Sequence, residues 1–289
     1  DKAARLRRYL DAEGLRRLRL RANLWVSAFY WPRHAPSLTA REYRAYVSHA
    51  THHGALPVRP AQDAVEEVAR EVRPFHWELE FPEVFFAPDG SRRPDAGFDA
   101  ILGNPPWEFI RFKQAEFYTR FDPTFAFART KEDKRALGSA VLARVEGKQA
   151  YGLINARIEA EKLYIKTSGQ YQLLGTKGAF NYYRAFLERD LRLLASGSVL
   201  GLTIDAGLVG DAGTQYHRRE LFEHTNIRTF GLFDNSKRIF PIDTREQFVI
   251  LVAAKGGTTD AVPFAAGLTA VGQLDSLAEH TTSLSLSLI

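Results

Sequence analysis

The sequence predicts an α/β protein in which a doubly wound sheet is preceded by helices and interrupted by a helical insertion. The segment from Phe98 to Leu102 is apolar but for one acid and predicts a short buried strand that stops at Gly103. Between residues 176 and 253 predicted helices and strands alternate, which is the period of a doubly wound sheet. Seven arginines between leucines in residues 1–31 predict amphipathic helices that end at Pro32.

Composition limits the possible classes of protein. The chain has 289 residues, 45% of them hydrophobic, a net charge of +5 and a pI of about 9.4, so a polyanionic partner is compatible with it but not required. No apolar run reaches the length of a membrane span and no secretory signal opens the chain. The absence of cysteine excludes disulfides and thiolate metal sites, and we predict no metal centre.

The sequence contains no methionine, even at its start. We therefore expect a fragment of a longer polypeptide, unless methionines have been lost from the sequence as written. No Gly-x-Gly-x-x-Gly or Phe-x-Gly-x-Gly segment is present either.

The remaining elements follow from periodicity and from turn residues. Residues 75–85 alternate aromatic and charged side chains, so we expect an extended segment. The last two strands, joined by a tight loop at 237–245, are expected to form an antiparallel pair at the end of the sheet. The predicted helices are 40–53, 62–72, 176–194 and 215–222, with an insertion at 108–168, and the later strands are 198–204, 227–233 and 247–253.

The chemistry is concentrated in Asn104-Pro105-Pro106-Trp107, directly after the first strand. Two prolines force a stiff turn at the carboxyl end of a strand, which is where open α/β sheets bind ligands. The Asn104 amide and the Pro105 carbonyl can both accept hydrogens from one exocyclic amine, and the Trp107 indole can stack on a flat heterocycle. The alternative is a proline-rich strand exit with a buried tryptophan.

This segment resembles the Asn-Pro-Pro-aromatic signature of class I, S-adenosylmethionine-dependent amino-methyltransferases, and its context resembles the adenine-specific enzymes of bacterial restriction-modification systems. The resemblance implies a Rossmann-like class I methyltransferase sheet that flips an adenine out of DNA. It implies that Asn104 and Pro105 hold the target amine. It also implies that Trp107 and Phe240, in Ile239-Phe240-Pro241, sandwich the base.

The expected domains are a basic helical region at 1–74, a catalytic core at 75–255 with an insertion at about 108–170, and a linker at 256–289 toward a target-recognition domain. Basic and aromatic residues alternate in the insertion. Arg111 and Lys113 are the candidate DNA contacts there, although about half of the aromatics must be core. The arginines of the opening helices either contact phosphate or form a solvated face.

We therefore predict a site-specific DNA adenine-N6 methyltransferase of a restriction-modification or phage-defence system, located in the bacterial cytoplasm. Its donor is S-adenosylmethionine, held by residues that this sequence does not reveal. Its partners are double-stranded DNA and other subunits or a fused nuclease or recognition domain. The same motif would also serve methylation of RNA or of a protein glutamine. A third alternative is a DNA-binding scaffold of a defence complex without turnover.

Overall fold

The computed structural model describes residues 13–174 and 180–285. Its described residues fall into two compact units, each of which is treated separately below. Unit 1 comprises the described residues up to Glu80 together with Arg111–Thr167, and unit 2 comprises Phe81–Ile110 and the described residues from Ser168 onward. The insertion thus groups with the opening helices, which the sequence did not indicate.

Unit 1 is helical. Its elements are α1 (Glu13–Ser27), α2 (Ala40–His53), α3 (Arg59–Val72), α4 (Trp77–Glu80), α6 (Gln114–Phe121), a 3₁₀ helix (Pro123–Phe127), α7 (Lys131–Ala143) and α8 (Val145–Thr167). The predicted start of α2 is confirmed in detail, because Thr39 and Glu42 form a reciprocal capping box. The first residues of the basic opening segment lie outside the described residues.

Unit 2 contains the sheet. Its elements are α5 (Pro82–Phe85), β1 (Phe98–Gly103), α9 (Tyr182–Leu193), β2 (Leu194–Asp205), α10 (Gly207–Gly210), α11 (Gln215–His224), β3 (Thr225–Asp234), β4 (Gln247–Lys255), β5 (Ala261–Leu268), α12 (Leu277–His280) and β6 (Thr281–Ser285), with 3₁₀ helices at Ala212–Thr214, Asn235–Lys237 and Val271–Leu274. The start of the helix predicted at 176–194 falls partly outside the described residues.

The sheet has the order β1-β2-β4-β3-β5-β6. β1 pairs parallel with β2 and β3 pairs parallel with β5, whereas β4 runs antiparallel between β2 and β3. The predicted antiparallel pair, β3 and β4, is thereby confirmed. The α/β class is also confirmed, and the sheet is consistent with a class I methyltransferase fold.

The larger buried cluster of unit 2 includes facing residues of β2 and β4. Leu200, Leu202 and Ile204 of β2 lie opposite Ala253, Leu251 and Val249 of β4, and all six are buried. Leu187 and Leu191 of α9 and Leu221 of α11 belong to the same cluster. Fully burying one such aliphatic side chain contributes about 2–3 kcal/mol.

Three predictions about secondary structure and strand burial are wrong. Residues 75–85 form the helical turns α4 and α5 instead of an extended segment. Pro82 occupies the first turn of α5, where its missing N–H costs nothing. β1 is not buried, since Leu102 is 90% exposed and β1 pairs only with β2 within the described chain.

The third correction concerns residues 256–289, which were expected to form a linker and instead supply β5 and β6. The antiparallel pair β3 and β4 is consequently internal to the sheet. The small, Thr- and Ser-rich composition of the segment predicted a linker, and Pro263 and Gly267 are also unfavourable in a strand. Tertiary packing overrides that preference, because Val262, Ala265 and Leu268 are buried in the sheet.

Gly97 controls how closely β1 approaches β2. Its φ is +142°, and a Cβ there would overlap the backbone of Leu194 and Ala195, lying 2.5 Å from the Leu194 carbonyl carbon. Gly90 also has a positive φ, +84°, but no atom lies within 4 Å of its Cβ position. Gly97→Ala should therefore lower the free energy of unfolding by at least about 2 kcal/mol more than Gly90→Ala. Urea unfolding followed by tryptophan fluorescence measures both, and equal losses would contradict the steric argument.

Candidate active site at the carboxyl ends of β1 and β2

The Asn-Pro-Pro-Trp segment leaves the sheet at the carboxyl end of β1. Asn104 is exposed, and its amide has no hydrogen-bond partner within the part of the chain that the structure describes. Pro105 is buried and Pro106 is exposed, so the turn is anchored on one side only. The Asn104 amide is therefore available to a ligand at this rim of the sheet.

Trp107 is fixed by β2. Its indole Nε1 donates to the Thr203 carbonyl oxygen at 3.2 Å, and the ring stacks on Phe248 of β4 with centroids 5.8 Å apart and 24° between the planes. Beyond it, the Ile110 N–H donates to Phe180 at 2.7 Å and the Tyr182 N–H donates to Glu108 at 3.0 Å. These bonds hold the exit of the turn against the start of α9.

Phe240 lies beside Trp107, as the sequence implied, but not in a sandwich. The two rings are in edge contact, with centroids 5.6 Å apart and planes at 83°. A sandwich requires two parallel rings that are separated by the thickness of a base. In this structure the two ring planes are instead nearly perpendicular, so a base stacked on the face of Trp107 would meet Phe240 at its edge.

One amide that the sequence analysis missed holds the loop carrying Phe240. Asn235 is fully buried, and its Oδ1 accepts from the Phe240 N–H at 2.9 Å. Its Nδ2 donates to the carbonyl oxygens of Phe240 and Asp243, both at 3.1 Å. The available signal was an asparagine in a polar turn directly after a strand.

A second missed group lies at the carboxyl end of β2. Asp205 Oδ1, Asp211 Oδ2 and the Tyr183 hydroxyl lie 2.7, 2.6 and 3.0 Å from the Cβ position of Gly207, so only glycine leaves them room. Burial raises the pKa of Asp205, although the Gly207 N–H bond opposes the shift. Burial, reinforced by Asp205, also raises the pKa of Tyr183.

Behind this rim, buried polar side chains fasten the loop that follows β2. The guanidinium of Arg184 donates to the carbonyl oxygens of Leu174 and Gly213, and Arg218 donates to the hydroxyl of Thr214. His217 is fully buried and its Nε2 contacts the Arg184 carbonyl oxygen at 3.0 Å. Burial, then the Arg184 charge, lowers the pKa of His217 to about 4.

Arg111 and Lys113, the predicted DNA contacts, belong to unit 1. Both are exposed, and Lys113 Nζ lies 3.8 Å from Glu116. Among the described residues, no group of three metal-binding side chains could hold an ion, and no helix is long and apolar enough to span a membrane.

Comparison with known proteins relates part of this chain to a family. Residues 16–134, less than half of the chain, match the family model described as Eco57I restriction-modification methylase. The matched part includes β1 and Asn104–Trp107 but not Phe240. The match supports restriction-modification methylases as the class of protein to which this part is related. Among curated proteins, none matches the sequence.

Two solved structures show partial likeness. The ATP-dependent Type ISP restriction-modification enzyme LlaBIII bound to DNA has a TM-score of 0.38 and 13% identity, over 65% of this chain and 12% of that chain. A modification subunit of a putative type I restriction enzyme from Vibrio vulnificus YJ016 has a TM-score of 0.36 and 12% identity, over 84% of this chain and 64% of that one. Both TM-scores are below 0.5, so neither likeness establishes a shared fold.

Asn235→Ala should loosen the loop that carries Phe240. The substitution removes the partner of the half-buried Phe240 N–H and of two carbonyl oxygens and leaves space at a fully buried position, so the free energy of unfolding should fall by about 2 kcal/mol. Asn226→Ala, at an exposed position of β3, is the matched control and should cost under about 0.5 kcal/mol. Denaturant unfolding tests both, and similar values for the two variants would contradict the role of Asn235.

His217 makes stability depend on pH. Its pKa is lower in the folded chain than in the unfolded chain, so its contribution is complete above about pH 6.5 and is lost as pH falls toward 4, by up to about 3 kcal/mol. His217→Gln, which can keep the bond to the Arg184 carbonyl, should remove that component. Unfolding free energies between pH 4 and 7 measure it, and parallel pH profiles of the two proteins would contradict the assignment.

Proposed function

We propose that this chain carries the target-base pocket of a site-specific DNA adenine-N6 methyltransferase of a restriction-modification or phage-defence system, acting in the bacterial cytoplasm. The observation that carries the proposal is the unpartnered Asn104 amide at the carboxyl end of β1, next to the anchored ring of Trp107. The family match over residues 16–134 supports the methylase class.

In the proposed pocket, Asn104 Oδ1 and the Pro105 carbonyl oxygen accept the two hydrogens of the adenine N6 amine. That arrangement directs the nitrogen lone pair away from both acceptors. The flipped base stacks on the ring face of Trp107, and Phe240 contacts the edge of the base. Extruding the base costs a few kcal/mol, which stacking on Trp107 offsets by roughly 1–3 kcal/mol.

The methyl donor is S-adenosylmethionine, which supplies an activated methyl group when bound. This sequence contains no glycine-rich loop of the type that holds the donor, so its residues do not by themselves fit a complete cofactor site. The residues of this chain are therefore proposed to act on the target base alone, by holding its amine and stacking its ring. Orientation of this kind can supply much of a rate enhancement without a covalent intermediate.

Charge supports DNA as the substrate. The sequence ranges of unit 1 carry 26 lysines and arginines against 17 aspartates and glutamates, whereas those of unit 2 carry 13 against 17. A basic unit suits phosphate contact, in which Arg111 and Lys113 are candidates, and an acidic unit does not. We therefore assign phosphate contact to unit 1 and base chemistry to unit 2.

Two other functions use the same residues differently. An amide followed by two prolines and an aromatic ring would also hold an RNA base or a protein glutamine, and the excess of cations in unit 1 favours nucleic acid over protein. A DNA-binding scaffold without turnover would keep the pocket but transfer no methyl group. Other subunits, or a fused nuclease or recognition domain, would complete the system.

Asn104 and Trp107 should give different mutant phenotypes in the full-length polypeptide. Asn104→Ala removes an acceptor of the target amine but no stacking surface, so methyl transfer should be abolished while DNA affinity stays within a few-fold. Trp107→Ala removes the ring on which the base stacks. The rate of methyl transfer should fall without vanishing, because stacking contributes roughly 1–3 kcal/mol. Trp107→Phe should recover most of it. Methylation of duplex DNA with labelled donor provides the measurement.

Fluorescence of 2-aminopurine at the modified position reports base extrusion separately from transfer. It should brighten with wild type and Asn104→Ala, and less with Trp107→Ala. Near-native methylation by Asn104→Ala would refute the pocket. Methylation of RNA or of protein in place of DNA would favour the alternatives.

A further inference from the structure

The structure separates the aromatic residues of the insertion into core and surface. Phe117, Tyr118 and Phe125 are at most 8% exposed and form one cluster in unit 1. Phe127, two residues beyond Phe125, is 81% exposed. Single exposed apolar side chains are common on protein surfaces, so the exposure of Phe127 becomes informative only together with the charged residues beside it in the chain.

The backbone that presents Phe127 is fixed on both sides. Asp122 caps the 3₁₀ helix Pro123–Phe127 by accepting from the Thr124 N–H at 3.0 Å, and the Phe125 ring packs on Tyr118 with centroids 5.0 Å apart. Thr130 caps α7 by accepting from the Asp133 N–H at 3.0 Å. Phe127 thus lies in a short segment between two capped helices, so that binding would require little ordering of the backbone that carries the ring.

Four cations follow Phe127 closely in the chain. All residues from 129 to 136 are exposed, and Lys131, Lys134 and Arg135 share one face of α7 through their i, i+3, i+4 spacing. Arg129 lies between them and Phe127 in the chain. Two acids, Glu132 and Asp133, occupy the first turn of α7, where the helix dipole favours them, and among the described residues neither pairs with these cations.

We propose that Phe127, Arg129, Lys131, Lys134 and Arg135, here named the Phe127 corner, bind duplex DNA at a step where the bases are unstacked. The cations contact phosphates, and the ring of Phe127 covers the face of an exposed base. Aromatic and other apolar side chains serve in this way in proteins that kink or open DNA. The inference rests on the proposed function, because extruding a base creates such a step.

The corner suits DNA better than a protein partner. A protein-binding patch is expected to have several apolar side chains at its centre and few charges. The Phe127 corner has one ring and four cations, which is the composition of a phosphate-tracking surface with a stacking residue.

The test uses the full-length polypeptide and a mixed-sequence duplex that contains one adenine opposite an abasic position. Fluorescence anisotropy gives Kd over a range of NaCl concentrations. The variants are Phe127→Ala, Phe127→Tyr and the triple change Lys131→Ala, Lys134→Ala and Arg135→Ala. Matched controls from unit 1 are Leu153→Ala, at a position 73% exposed, and the triple change of the exposed residues Arg41, Arg44 and Arg70 to Ala.

Phe127→Ala should weaken binding about fivefold or more without changing the dependence of log Kd on log salt, since stacking releases no counterions. Phe127→Tyr and Leu153→Ala should stay within about twofold of wild type. The α7 triple change should reduce the salt slope by roughly 0.9 for each phosphate that the variant no longer neutralises, and the control triple should reduce it less.

Three results would overturn the corner while leaving the proposed function intact. In each, wild type binds and methylates DNA. In the first, Phe127→Ala binds like Leu153→Ala. In the second, the two triple changes shift the salt slope equally. In the third, Phe127→Ala lowers the melting temperature by several degrees with unchanged affinity, which would mean that Phe127 packs against another part of the polypeptide. Failure of wild type to bind DNA at all would instead refute the proposed function.

Discussion

The parallel pairing of β1 with β2 is the constraint on which the candidate site depends. Because parallel neighbours end at the same edge of a sheet, this pairing brings the turn at Asn104 level with the last residues of β2. Because of this alignment, the indole N–H of Trp107 can donate to the carbonyl oxygen of Thr203. The pairing in turn requires Gly97, since any side chain there would collide with the start of β2.

Antiparallel β4 supplies the second half of the site. Because β4 lies between β2 and β3, its Phe248 packs against the ring of Trp107. Phe248 also stacks on Phe233 of β3, with 8° between the two ring planes. The loop between β3 and β4 then returns Phe240 to the edge of Trp107. That loop is held by the buried amide of Asn235, which bonds the N–H and carbonyl oxygen of Phe240 and the carbonyl oxygen of Asp243. The position of the Trp107 ring and that of the loop carrying Phe240 therefore both depend on β4, because Phe248 contacts both rings.

Local pattern was enough to predict the elements whose signals are strong and self-contained. The stop of β1 at Gly103, the bounds of α2 at residues 40–53 and the β3–β4 pair are of this kind. Pattern failed where tertiary context decides. An alternating run ending in Phe85 became helical turns because Pro82 starts a helix and Phe85 and Phe81 pack on Phe98. β5 was missed because its proline and glycine hide a strand that only its neighbours stabilise.

The candidate site likewise contains parts that local pattern indicates and parts that only tertiary packing determines. The chemistry proposed for Asn104 and Trp107 rests on residue types in one short segment, whereas the geometry between Trp107 and Phe240, residues far apart in the chain, could not be predicted from the sequence. The angle of 83° between their rings accompanies the contact of Phe240 with Phe248 and the bond of its N–H to Asn235, and no local pattern predicts either pairing. Two perpendicular rings bind a flat base differently from two parallel ones. In the proposed pocket one face of the base would lie on Trp107 and its edge would meet Phe240. Discrimination among bases would then depend on that edge and on the amine held at Asn104, while Trp107 would accept any aromatic ring.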